Sequence, residues 1–315
     1  MRVVIAGTGA MAVLFGAKLA PHARVTLLGT WREGIEAVNR GIEVSPGRNR
    51  PAAADAPLLP PQSEPDRGVS ATADPSAIAP AALAFVLVKS WQTECAARRL
   101  EQCLAPDGLA VTLQNGLGNL EILQARLGVE RAALGTTICG ATLTGPGRVR
   151  ESGCPSIQVA CQPRVQVAVD LLVQAGFSVE LAADARSLLW GKLIVNAAIN
   201  PLTALLRVPN GELLRRPEAA ALMEAAAEEA ASVARRCGVD LPFADPAARA
   251  RTVAGVTADN LSSMLQDVRR GVRTEIDAIN GAICREASRR KSRAPINCAL
   301  WRLVRALPDA ERGKR

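Results

Sequence analysis

The chain has 315 residues, 49% of them apolar, and a formal net charge of +8 at pH 7. That is enough material for two domains of ordinary size with real cores. The positive excess sits largely in Arg285, Arg289, Arg290, Lys291 and Arg293 and in the tail residues Arg312, Lys314 and Arg315. The few aromatic residues are not interleaved with it, which argues for a solvated face and against nucleic acid as a partner.

There is no Tyr, and the single histidine is His22, in a predicted loop. A mechanism built on a Tyr acid or a His base is therefore excluded or strained, and proton transfer falls to Lys, a carboxylate, Cys or water. The cysteines at 95, 103, 139, 154, 161, 237, 284 and 298 form no CxxC pair and have no His at ligand spacing. Reduced thiols in a cytoplasmic protein are expected, with neither disulfides nor a metal. No apolar run approaches the ~20 uninterrupted residues of a membrane span, so no membrane partner is expected.

In chain order, Arg2 to Ala6 reads as a short apolar strand. Gly7-Thr8-Gly9-Ala10-Met11-Ala12 then opens a helix to about Leu19, and a second strand covers Arg24 to Leu28. Although Arg2 ahead of an apolar run superficially resembles a signal peptide, Gly7 and Gly9 favour a strand and turn. Strand, Gly-rich turn, helix, strand is the dinucleotide-binding βαβ order. Gly7 permits the tight turn, Gly9 lets a pyrophosphate approach the backbone, and Ala12 in the third position still permits close packing. Where an NAD enzyme carries a carboxylate after the second strand, this chain reads Gly29-Thr30-Trp31-Arg32. Arg32 is placed to meet a 2′-phosphate, which favours NADP. The same Arg also fits as a surface residue at a helix start.

Residues 44 to 82 are rich in Pro, Ala, Asp and Ser, with Pro60-Pro61 in the middle, and carry no assignable function. Strands are predicted at Ala82 to Lys89, Leu109 to Leu113, Ala132 to Ile138, Ser156 to Ala160 and Phe177 to Leu181. Helices lie between, at Gln92 to Leu104 and Leu120 to Leu127, and a parallel sheet wrapped by helices accounts for the pattern. Lys89 and Asn115 follow adjacent strands, facing either the cofactor or the substrate. A solvated Lys and a capping Asn fit the same spacing.

Beyond Asp184 every periodic segment reads as helix: Asp184 to Leu206, Pro217 to Cys237, Pro246 to Arg270, Arg273 to Arg290 and Asn297 to Leu307. The fold class is thus α/β, a Rossmann-type dinucleotide-binding domain over 1–182 followed by an all-helical domain over 183–315. Within Trp190 to Pro201, the polar residues Lys192, Asn196 and Asn200 recur every four residues and share one helix face. A buried ammonium flanked by two amides is costly unless a polar ligand lies before it. The rival reading is hydrogen bonding between helices. Pro201 should kink or end the helix near Asn200 and leave carbonyls free. Ser263 and Glu275 add polar groups further on, but on one straight helix they would lie roughly 18 Å apart on different faces. Gly271 is a potential break between them.

With these motifs in place, the chain resembles the ketopantoate reductase (2-dehydropantoate 2-reductase) family over nearly its whole length. The resemblance is carried by the turn at 7 to 12, Lys89-Ser90-Trp91-Gln92, Gln114-Asn115-Gly116, Gly135-Thr136-Thr137 and Trp190 through Leu205. It continues through Pro209-Asn210-Gly211-Glu212-Leu213, Ser262 to Val268 and Thr274 to Gly281. It implies NADPH-dependent reduction of a small 2-oxoacid, 2-dehydropantoate, to pantoate, on the way to pantothenate and coenzyme A, by a monomer or homodimer. It also implies that Lys192 is the general acid and that Asn115 lies between nicotinamide and substrate. Asn196, Asn200, Asn210 and Ser263 would hold the substrate. Glu275 would stand at the same cleft, toward cofactor or substrate hydroxyl, and Lys89 and Ala141 match cofactor-contacting positions. A paralogous reductase of another 2-oxoacid and a non-catalytic NADP-binding sensor are the alternatives.

Overall fold

A computed structural model describes residues 1–46 and 68–308. Pro60-Pro61 and the tail residues Arg312, Lys314 and Arg315 lie outside the described residues. The chain divides into two compact units, one formed by residues 1–114 and 118–185, the other by 115–117 and the residues from 186 onward.

The first unit contains β1 (Arg2–Ala6), α1 (Ala10–Leu19), β2 (Arg24–Leu28), α2 (Arg32–Arg40), β3 (Glu43–Ser45), β4 (Gly68–Thr72) and β5 (Ala81–Val86). These are followed by α3 (Thr93–Cys103), β6 (Leu104–Thr112), α4 (Asn119–Leu127), β7 (Ala132–Gly145), β8 (Arg148–Ala160), α5 (Gln166–Gln174) and β9 (Ser178–Ala182). The strands β4-β2-β1-β5-β6-β7 lie side by side and parallel. This is the doubly wound order, in which the winding direction reverses between β1 and β5.

The parallel sheet expected from the sequence extends only that far. β8 runs antiparallel to β7, pairing Gly135 with Val159 and Gly145 with Arg148. The connection at 146–147 is too short for the crossover a parallel partner needs. β3 and β9 then pair parallel to β8. One sheet face buries Val13, Leu14 and Phe15 of α1 against Ile5, Leu27 and Phe85. The other buries Ala97 and Leu100 of α3 and Leu123 of α4 against Val4, Ala84 and Val86.

The second unit is helical: α6 (Ala185–Leu206), α7 (Pro217–Arg236), α8 (Pro246–Val256), α9 (Ser263–Arg269), α10 (Asn280–Arg289) and α11 (Pro295–Arg305). Two expected helices are shorter than their periodicity suggested. The segment Pro246 to Arg270 is two helices, because Ser262 caps a fresh one by accepting the Leu265 amide at 3.1 Å, as N-capping hydroxyls do. The segment Arg273 to Arg290 becomes helical only at Asn280, and Gly271, at φ +65°, takes the left-handed conformation that ends α9.

By length and composition the 22 residues of α6 could cross a membrane, but 72% of that window is buried inside the protein. α6 is the central helix of the unit, with Leu193, Ile194, Ala197 and Ala198 packed among Met223, Ala227, Ile279 and Ile283. The all-thiol expectation also fails, since Cys284 of α10 and Cys298 of α11 form a disulfide with Cα atoms 5.8 Å apart. Their separation of 14 residues is closed by the turn that sets the two helices side by side. No CxxC spacing announces such a pair.

Candidate functional site

The Gly-rich turn has the shape its residues dictate. Gly7 has φ +129°, and a Cβ there would sit 3.3 Å from the Leu87 carbonyl carbon and oxygen, so the ends of β1 and β5 come together only around glycine. Gly9 is the N-cap of α1 and has open space where a Cβ would be. The first turn of α1 holds no acidic residue and no side chain caps it. Ala12 is fully buried beneath it, while Ala10 and Met11 are half-buried. Backbone amides at an open helix N-terminus, with glycine allowing close approach, fit the pyrophosphate of a dinucleotide.

Thr8 is buried against Gly29, the residue after β2. A Cβ on Gly29 would lie 2.4 Å from Thr8 Cγ2 and 2.6 Å from its Oγ1. The position that carries a ribose-binding carboxylate in NAD enzymes therefore takes a side chain only if Thr8 moves. Arg32 opens α2 with an exposed guanidinium, and its Nε donates to Glu36 Oε1 at 2.9 Å. That hydrogen bond and the Glu36 charge raise its pKa further above an already high value. A second guanidinium, unremarked in the sequence, stands at the same strand ends. Arg99 of α3 donates from Nη2 to the carbonyls of Gly29, at 3.2 Å, and Ala73.

The loops after β5 and β6 are tied by buried polar groups. Gln114 Nε2 donates to the Val88 carbonyl at 2.8 Å and to Thr93 Oγ1 at 2.9 Å. Thr93 Oγ1 lies 2.8 Å from Asn119 Oδ1 at the start of α4. Half-buried Lys89 is held in this loop, its backbone amide donating to Gln92 Oε1 at 3.3 Å. Sequence reasoning missed Thr93 and Asn119, whose signal exists only once the two loops are adjacent. Ala141, on β7, pairs with Glu151 of β8 and packs half-buried on the core.

In the helical unit, Lys192 and Asn196 are the only residues between Trp190 and Ala204 that are not buried, and Asn200, one turn further, is 6% exposed. The stripe is therefore a real face of α6. Asn115 belongs to the helical unit despite its place in the sequence. Its Nδ2 donates to Glu275 Oε2 at 3.3 Å, and the Leu117 amide donates to the Ala278 carbonyl at 3.0 Å. Glu275 is 6% exposed. Two residues 160 apart that spacing did not connect thus meet as amide and carboxylate.

Asn210 opens a short 3-10 turn, buried, with its Nδ2 donating to Thr257 Oγ1 at 2.8 Å. Because the Thr257 hydroxyl donates to the Val253 carbonyl, it can only accept from Asn210. The buried Asn210 Oδ1 is left without a protein donor, an acceptor suited to a hydroxyl of a bound molecule. Ser263 is the first residue of α9 and is exposed. Its neighbour Ser262 is buried, 2.7 Å from Thr203 Oγ1 of α6.

A doubly wound sheet with a glycine phosphate turn, joined in sequence to a helical unit bearing a Lys–Asn face and a carboxylate, defines a dinucleotide-dependent oxidoreductase. The two halves of the chain match two family models: ketopantoate reductase PanE/ApbA over residues 3–163 and ketopantoate reductase PanE/ApbA C terminal over residues 184–308. The chain belongs to the ketopantoate reductase family. It is 34% identical over 311 residues to the 2-dehydropantoate 2-reductase of Archaeoglobus fulgidus, covering 97% of both chains. The crystal structure of a PanE/ApbA family ketopantoate reductase from Ralstonia eutropha JMP134 matches with a TM-score of 0.87 and 32% identity, over 99% of this chain and 100% of that one. D-mandelate dehydrogenase, solved with NADH and anilino(oxo)acetate, shares the fold with a TM-score of 0.84 at 24% identity, over 97% of this chain and 98% of that one.

Proposed function

We propose that this protein catalyses the NADPH-dependent reduction of 2-dehydropantoate to pantoate in the cytoplasm. The observation that carries the reading is the α6 face, where Lys192 and Asn196 are the only residues between Trp190 and Ala204 that are not buried, in a chain whose relatives are 2-dehydropantoate 2-reductases. The Gly7 to Ala12 turn, with Lys89 and Ala141, would hold the dinucleotide, and Arg32 its 2′-phosphate. When bound, the cofactor supplies a hydride to the ketone carbon. Negative charge then develops on the ketone oxygen, where the Lys192 ammonium stabilises it and delivers a proton. Asn196 and Asn200 orient the substrate from the same helix face. Asn210 Oδ1 accepts a hydrogen bond from a substrate hydroxyl, and Ser263 offers its hydroxyl to the substrate. Glu275, tied to Asn115, stands toward the cofactor or the substrate hydroxyl.

In single-turnover experiments Lys192→Ala should slow NADPH oxidation by about 100-fold or more, the scale of a lost general acid. A near wild-type rate would refute the acid role. The hydroxyl-binding groups also predict that 2-oxoisovalerate, which lacks the hydroxymethyl group, is much the poorer substrate, because a site built for a hydroxyl strongly rejects analogues without it. Equal kcat/KM for the two would favour a paralogous reductase of another 2-oxoacid.

A further inference from the structure

Pro201 lies inside α6 and the helix does not end there; it continues to Leu206. A proline in a helix interior removes one i→i−4 hydrogen bond, here the one to the Ala197 carbonyl, and its ring crowds that oxygen. The orphaned acceptor is buried with Ala197, where an unpaired carbonyl is costly. Asn280, at the start of α10, supplies the missing donor: its Nδ2 donates to the Ala197 carbonyl at 3.0 Å. The expectation that Pro201 leaves this carbonyl free for a ligand is thereby corrected. The other proton of the same amide goes to Asn297 Oδ1 at 2.9 Å.

Asn297, on α11, is itself clamped to α7. Its Nδ2 donates to the Ala226 carbonyl at 3.1 Å and to Glu229 Oε1 at 2.9 Å, and its backbone amide donates to the same Oε1 at 2.8 Å. Both asparagines are 0% exposed. The relay therefore runs from α7 through α11 and α10 to the one gap in the α6 ladder, between Asn196 and Asn200. Asn280 Oδ1 is buried and has no partner, so the side chain is kept in the core for its two donors at the cost of a lone acceptor. A residue serving only to fill space would not carry that penalty.

We propose that Asn280 is a positioning residue for the reaction. It replaces the amide that Pro201 lacks and so fixes the stretch of α6 between Asn196 and Asn200, on the face that also carries Lys192. The proposal rests on the assignment of that face as the reacting one, and the test separates the two.

The experiment is a double-mutant cycle between positions 201 and 280, read both as kcat/KM and as thermal midpoint. Asn280→Ala should lower kcat/KM for 2-dehydropantoate about tenfold or more, the scale of a lost buried hydrogen bond that aligns a reacting group. The Kd for NADPH should stay within about twofold, because the dinucleotide turn lies in the other unit. Pro201→Ala returns a backbone amide to the Ala197 carbonyl, so in the Asn280→Ala background it should recover at least about threefold of the loss and raise the midpoint. Wild-type kcat/KM in Asn280→Ala, or no recovery in the double variant, overturns the proposal. Where Asn280→Ala does not fold, a folded and active double variant supports the idea and an equally unfolded one overturns it. If the assignment of the face is wrong, Lys192→Ala turns over normally while the coupling in midpoints persists. If only the present inference is wrong, Lys192→Ala is inactive and the coupling is absent.

Discussion

At Gly29 the proposed preference for NADPH rests on a side chain that is absent. The sequence displays the missing carboxylate, and Arg32 three residues later suggests a phosphate partner, but the reason for the glycine is not local. Thr8, in the turn after β1, occupies the space, so a side chain at 29 requires it to move. Among the described residues Arg32 is anchored by exposed Glu36, and in the proposed function its remaining donors would meet a 2′-phosphate. Arg32→Ala should weaken NADPH binding about tenfold, as loss of a charge-assisted contact does, and leave NADH within about twofold. Fluorescence titration of both cofactors checks this, and equal losses for the two would show that Arg32 does not read the phosphate. Gly29→Asp alone should lower stability and gain no NADH affinity. Joined to Thr8→Gly, the same carboxylate has room, and the NADH to NADPH ratio of kcat/KM should rise.

Elements whose signals are short-range were legible. β1, β2 and α1 fall where strand, glycine turn and apolar helix were read, and the α6 face follows from four-residue spacing alone. What escaped is set by partners distant in sequence. Pro201 reads as a helix stop because its remedy, Asn280, comes 83 residues after the carbonyl it satisfies. Glu275 and Asn115 look unrelated until the chain at 115–117 packs on Ala278. The turn carrying Glu275 is itself held two residues on. Asp277 accepts from Trp301 Nε1 at 2.8 Å and Arg273 Nη2 at 3.1 Å, with Arg305 3.7 Å away. Burial pushes the Asp277 carboxyl up, but the Trp301 and Arg273 hydrogen bonds and the two arginine charges outweigh it and hold it below its ordinary value. A depressed carboxylate contributes stability that is complete above its unfolded pKa, about 4, and lost as pH falls through the lower folded value. Asp277→Asn should therefore lower the urea midpoint at pH 7, and the gap to wild type should narrow as the pH falls below about 4. A gap of constant size would mean the carboxylate charge contributes nothing.

Across the whole chain, the two units have separate apolar cores, one built on the sheet around Phe15 and Phe85 and one around α6 and the alanines of α7. Each also has its own reporters, Trp31 and Trp91 in the first unit and Trp190 and Trp301 in the second. The Cys284–Cys298 disulfide lies wholly in the second, where it ties α10 to α11 at the helices that carry Asn280 and Asn297. Closing a loop of this size restricts the unfolded chain and stabilises the folded one by up to about 3 kcal/mol in the loop-entropy account. Because the constraint acts on one unit, its removal should not act evenly. With only Trp190 or only Trp31 retained in otherwise Trp-to-Phe variants, Cys298→Ser should lower the denaturation midpoint reported by Trp190 by more than that reported by Trp31. Equal shifts would show that the two cores unfold as one cooperative body. No shift in either would show that the helix pair is held by its packing and the Asn280–Asn297 bond without help from the disulfide.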